Sequence, residues 1–133
     1  RDLKARVKII QESKAHIFIS VHVNHIKNPK PLGAIVFYNL GNKESEILGE
    51  YLQKELNQLS TYKESGIEIN RLPLGGDYYI LNNNKIPGVL IETGFISNEL
   101  DRKLLLEDNH QEEVVNLIIK GIFNYFDLVN DDI

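Results

Sequence analysis

Apolar and polar positions along this chain repeat with two different periods. Over 1–14, Leu3, Val7 and Ile10 fall at i, i+4 and i+7 with charged residues between them, which predicts an amphipathic helix. The run Ile-Phe-Ile-Ser-Val-His at 17–22 is apolar on both faces, as in a strand covered from both sides. Residues 24–32, with Pro29 and Pro31, read as a polar loop, and 34–38 as a second buried strand. Asn42 is placed to cap a helix over 43–59 with a stripe of Leu48, Leu52, Leu56 and Leu59.

The alternation at 67–72 is weak and suggests an edge strand, ended by the turn at Gly75 and Gly76. A short helix over 78–81 precedes an asparagine-rich loop. Residues 87–91 form a third buried strand, with Pro87 tolerated at its start. Asn98 is placed to cap a helix reaching about 107, with Leu100 and Leu104 facing inward. A last helix over 111–127 presents Val115, Ile118, Ile119, Ile122 and Phe126, and 130–133 form a fraying tail. Strands interleaved with helices define an α/β fold, a three-layer sandwich around a mostly parallel twisted sheet.

Composition narrows the function only a little. A chain of 133 residues is the size of one domain and shows no internal repeat or linker. The net charge of -4, without a basic block, disfavours nucleic-acid binding, because phosphate neutralisation needs clustered Lys and Arg. The absence of Cys excludes disulfides, thiolate metal sites and a Cys nucleophile. No stretch approaches the roughly 20 apolar residues of a membrane span. The chain opens on Arg1 in a charged helical pattern without an initiator Met, so the true N-terminus is expected to be missing.

Two residues carry the candidate chemistry. His22 and Glu92 are each the first ionisable residue after a buried run, and each sits at the carboxyl end of its strand. Open α/β sheets bind ligands outside those ends. If the two strands are parallel neighbours, an imidazole and a carboxylate meet there, a pairing suited to metal-assisted hydrolysis or to acid–base chemistry. Two polar strand ends that merely bond the following loops explain the same pattern. His16 reads as a satisfied hydrogen-bond partner rather than a ligand, His25 as a surface or loop residue, and His110 as solvated between two helices. Gly75-Gly76-Asp77 lacks the Lys-Ser or Lys-Thr of a phosphate loop, and no Gly flanks Ser20 as a nucleophile elbow requires.

The segment Ser20-Val21-His22-Val23-Asn24 resembles the Ser-Ile-His-Ala-Asn signature of the zinc-dependent N-acetylmuramoyl-L-alanine amidases. Glu92-Thr93-Gly94-Phe95-Ile96-Ser97-Asn98 resembles that family's Glu-x-Gly-Phe-x-Ser-Asn signature. Leu3 with Arg6, Gly33 to Tyr38, and Ser45 also match, and Asp77–Leu81 looks most like the spore-cortex branch. The resemblance implies a peptidoglycan hydrolase of the cell wall or spore cortex, acting outside the cytoplasm. It would cut the amide between N-acetylmuramic acid and L-alanine. His22 would be a zinc ligand and Glu92 the catalytic carboxylate acting on a zinc-bound water, with Asn24 and Ser45 on the substrate side.

The family holds zinc by His, Glu and His, and only His22 matches one of those positions. The resemblance implies an upstream segment with about two strands, a helix and the other two ligands, so that this polypeptide alone should bind zinc weakly and be inactive. A preceding segment or an activating protein is the expected partner, beside peptidoglycan itself. A non-catalytic relative that binds cell wall or a partner protein is the alternative; a nucleotide-binding α/β domain is disfavoured.

Overall fold

A computed structural model of the chain describes residues 2–131. Helix α1 (Asp2–Glu12) leads into strand β1 (Phe18–Asn24), then β2 (Ile35–Tyr38) and helix α2 (Lys43–Leu56). A short α3 (Ser60–Glu64), the two-residue strand β3 (Leu74–Gly75) and α4 (Tyr79–Asn82) follow. Strand β4 (Gly88–Phe95) and helices α5 (Glu99–Leu104) and α6 (Asp108–Asp131) complete the order. The sheet runs β1-β4-β2-β3. It is mixed: β1 is parallel to β4 and β3 to β2, while β2 runs antiparallel to β4.

Helices cover both faces. On one side, Leu48, Leu52, Leu56 and Leu59 lie at 0–2% exposure against Val36, Val89 and Ile91 of the sheet, and α6 adds Val114 and Tyr125. Each fully buried leucine contributes roughly 1.5–3 kcal/mol relative to leaving it in water. On the other side, Val7 of α1 and Ile80 and Leu81 of α4 close over Phe18 and Leu90. The chain alternates sides along β1 and β4, so Phe18 and Leu90 face α1 and α4 while Val89 and Ile91 face α2.

Side-chain amides finish what the backbone leaves open. Asn42 accepts from the Ser45 N–H (3.0 Å) and Asn98 from the Asp101 N–H (3.0 Å), as expected of N-caps. Short β3 leaves the start of β2 without a neighbour on that side. Buried Gln53 takes the strand's place, accepting from Val36 N–H (2.8 Å) and donating to the Ala34 carbonyl (3.1 Å).

Several expectations need correction. The segment 67–72 has no strand, and the edge strand is Leu74–Gly75, where register with Phe37 and Tyr38 supplies the bonds. The helix expected over 43–59 ends at Leu56, and α3 follows. The last helix is longer than its apolar stripe and starts at Asp108. Val115 and Ile119, assigned to its inward face, are 53% and 43% exposed. The helix instead turns Val114 and Tyr125 inward, and Gly121 seats it on α2, where an added Cβ would come within 2.8 Å of Leu52. Leu3 is also exposed, leaving Val7 as the buried residue of α1. Of the tail at 130–133, the helix takes in residues to Asp131 and the last two lie outside the described residues.

Candidate active site

The parallel register sets the site. Phe18 pairs with Gly88, and stepping along both strands brings His22 opposite Glu92. In-register partners present their side chains to the same face of a sheet. That face is the one covered further back by α1 and α4. Beyond the cover, at the carboxyl end of β1, Ser20, His22 and Glu92 come out together, with Ile35 of β2 on the far side of Glu92.

Glu92 does not terminate its strand, as the sequence suggested; β4 continues through Phe95 and every residue of it is buried. Between His22 and Asn24 the pairing slips, so that Asn24 opposes Phe95. Three steps along β4 thus match two along β1, a bulge immediately after Glu92. Bulges of this kind re-aim side chains beside active sites. Thr93 Oγ1 donates to the His22 carbonyl (3.1 Å) and pins the two strands there. At Gly94 a Cβ would stand 3.0 Å from an Asp101 carboxylate oxygen, so a side chain there would press on that carboxylate.

Glu92 is 7% exposed, and its Oε2 is buried without a hydrogen-bond partner among the described residues. Burial holds its carboxyl above the usual carboxylate range, and the nearby His22 charge pulls it back. A buried carboxyl raised in this way suits proton transfer near neutral pH. Tyr78 lies near enough to feel it: burial and then the Glu92 charge raise the Tyr78 phenol. The Tyr78 ring meets Phe37 edge-on at 5.3 Å. No local signal in the sequence marked Tyr78, because its place beside Glu92 depends on how α4 folds back over the sheet.

His22 is half-buried and its Nε2 lies 2.8 Å from Ser20 Oγ, two residues earlier on the same face. Its Nδ1 has no hydrogen bond among the described residues. A ring held at one nitrogen and open at the other is the arrangement of a metal-ligating imidazole. Asn24 sits at the same strand end, its side chain accepting from the His25 N–H (2.8 Å) and its carbonyl from Ile96 (2.9 Å).

The other candidates are elsewhere. Ser45 is fully buried at the opposite end of β4, where it donates to the Gly88 carbonyl (2.5 Å) and accepts from Asn39 N–H (3.0 Å). The structure does not bring it to the His22–Glu92 rim. His25 is exposed, in keeping with a surface role, and His16, expected as a satisfied partner, is exposed as well. His110 is not solvated: it is 0% exposed, with Nδ1 2.8 Å from Thr61 Oγ1. Among the described residues no group of three or more His, Cys, Asp or Glu gathers to hold a metal ion. Nδ1 of His22 and the unpartnered Glu92 oxygen fit one side of a metal-and-water site, and the donor set does not close among the described residues.

A buried carboxyl and a half-buried imidazole thus meet at one strand rim. Residues 1–124 match the family model of N-acetylmuramoyl-L-alanine amidase, and the chain belongs to that family. It is 37% identical over 126 residues to the germination-specific N-acetylmuramoyl-L-alanine amidase of Bacillus subtilis, covering 94% of this chain and 51% of that protein. The CwlD amidase of Clostridioides difficile, solved in complex with the GerS lipoprotein, superposes with a TM-score of 0.87 at 38% identity. That match covers 96% of this chain and 62% of the solved one. The catalytic domain of CwlV from Bacillus (Paenibacillus) polymyxa superposes at 0.78 with 26% identity, covering 94% and 65%. The chain thus spans about half the length of the Bacillus subtilis relative.

Proposed function

We propose that the protein carrying this chain hydrolyses the amide between N-acetylmuramic acid and L-alanine in peptidoglycan, with Glu92 as the proton-transfer group and His22 as one zinc ligand. The observation that carries this reading is the buried, unpartnered Glu92 carboxyl set in register beside His22. Zinc, when bound, supplies Lewis acidity toward the amide carbonyl and makes water more acidic. Glu92 takes a proton from the attacking water and delivers one to the nitrogen of the departing L-alanine. Burial favours both roles, since a carboxyl raised toward neutrality gives up and regains a proton readily. Asn24 is placed to meet substrate at the same rim.

The remaining zinc ligands come from polypeptide seated on the free edge of β1. That strand has β4 on one side only, and its Val21 and Val23 are 57% and 49% exposed. Bare, partly apolar strand edges invite pairing. The 133 residues alone therefore bind zinc weakly and are inactive, and isothermal titration checks this; tight one-to-one binding contradicts it. This protein acts outside the cytoplasm on wall or cortex, and, as the CwlD amidase is solved in complex with a lipoprotein, it takes an accessory protein partner. No helix among the described residues is long and apolar enough to cross a membrane.

The incomplete ligand set favours one second reading, a relative that binds wall or a partner without catalysis. Digestion of purified peptidoglycan by the full-length protein with zinc separates the two. Mass spectrometry shows stem peptides with a free L-alanine amine and glycan freed of peptide if the amidase reading holds. Undigested wall that retains the protein supports the binding role instead.

A further inference from the structure

Asp101, on α5, is 0% exposed and lies at the back of the Glu92 bulge. One carboxylate oxygen, Oδ2, accepts from Phe95 N–H (2.8 Å) and from Gly33 N–H (2.9 Å). The other, Oδ1, accepts from the buried Tyr62 hydroxyl (2.5 Å). Arg71, half-buried, brings a positive charge nearby. Phe95 follows Glu92 by three residues on β4, and Gly33 precedes Ile35, which pairs with Glu92 from β2. The carboxylate therefore ties β4 just past Glu92 to the segment leading into β2, and it holds the N–H of Phe95, where pairing with β1 resumes after the bulge. Gly94 leaves just enough space for it. No ordinary core requires this; buried carboxylates are rare unless their bonds are filled, as here.

We propose that Asp101 is a positioning residue that sets the aim of Glu92 by holding the β4 bulge, without itself touching substrate. The inference rests on Glu92 being the proton-transfer group. It acts through hydrogen bonds rather than charge, so an isosteric amide serves: Asn at this position keeps an acceptor for Phe95 and Gly33 and turns its NH2 toward the Tyr62 oxygen.

Kinetics of the full-length protein on soluble muropeptide, below the melting point of each variant, test it. Asp101→Ala lowers kcat roughly 10- to 100-fold, the cost of about 1 Å of misplacement, while KM and zinc affinity stay within about twofold. Asp101→Asn recovers most of the rate. In a Glu92→Gln background, followed over long incubations, Asp101→Ala adds no further loss, because the group it aims is already gone. Should Asp101→Ala fail to fold, Asp101→Glu shifts the carboxylate by one methylene and runs through the same cycle. Wild-type kcat in the displaced variant, multiplying losses in the double variant, or loss of KM and zinc affinity alongside kcat overturns the proposal. Wild-type kcat in Glu92→Gln alone instead overturns the assignment of Glu92.

Discussion

Replacing Ser45 with Ala separates a structural from a substrate-binding role for that residue. The hydroxyl is fully buried and joins three elements: it starts α2, donates to the Gly88 carbonyl at the head of β4, and accepts from Asn39 N–H just past β2. Alanine leaves that carbonyl and that N–H in a space too dry to hydrate them. Each buried group without a partner costs about 1–3 kcal/mol, so the change destabilises by roughly 2–5 kcal/mol after partial relaxation. For a domain near this size, 1 kcal/mol shifts the melting temperature by about 3–5 °C, so Tm falls by roughly 6–25 °C. Circular dichroism melts of this chain measure it. Steady-state kinetics of the full-length variant, well below its Tm, give unchanged kcat and KM. A melting point within about 2 °C of the parent, or a raised KM with no loss of stability, refutes the reasoning and returns Ser45 to the substrate.

Other perturbations have equally definite signs. Because burial lifts the Glu92 carboxyl above its ordinary value of 4.5, the folded chain holds its proton longer than the unfolded chain. Stability therefore falls as pH rises through that window, and Glu92→Gln lacks the fall and exceeds the parent at neutral pH; urea melts from pH 4 to 8 that stay parallel speak against it. His110 has the opposite sign: burial lowers it from 6.5, with Asp101, Glu113 and Glu107 opposing. The unfolded chain protonates first, so stability is lost as pH drops below about 6.5, and His110→Leu flattens that slope. Ser20→Ala frees the His22 ring and weakens zinc binding of the full-length protein about 10-fold, read by chelator competition, with little change in Tm. An unchanged affinity removes Ser20 from that role.

Local pattern carried much of this fold into view. The buried runs before His22 and Glu92 announced two central strands, and Asn42 and Asn98 announced helix starts, since an N-cap needs only a side chain three residues from its donor. The family signatures, too, are local strings. What stayed hidden depends on partners distant in the chain. The tie from Asp101 to Gly33 spans 68 residues, that from Tyr62 to Asp101 39, and that from Gln53 to Val36 17. The extension of β4 past Glu92 was masked because a charge and a glycine read as strand ends, and pairing with β1 overrides them. Charged neighbours made His110 look solvated, yet the imidazole turns in against Tyr62, ring to ring at 5.8 Å. Ser45 resembled a functional hydroxyl because a sequence does not say which end of a strand a side chain will meet.

The central assertion is that one imidazole and one carboxyl, from neighbouring parallel strands, divide metal binding and proton transfer between them. Zinc affinity and muropeptide hydrolysis, measured side by side on full-length His22→Ala and Glu92→Gln, test that division. His22→Ala loses both, whereas Glu92→Gln keeps zinc within about threefold and loses roughly 100- to 10,000-fold in rate. Zinc bound as tightly by His22→Ala as by the parent, or near-normal hydrolysis by Glu92→Gln, contradicts it.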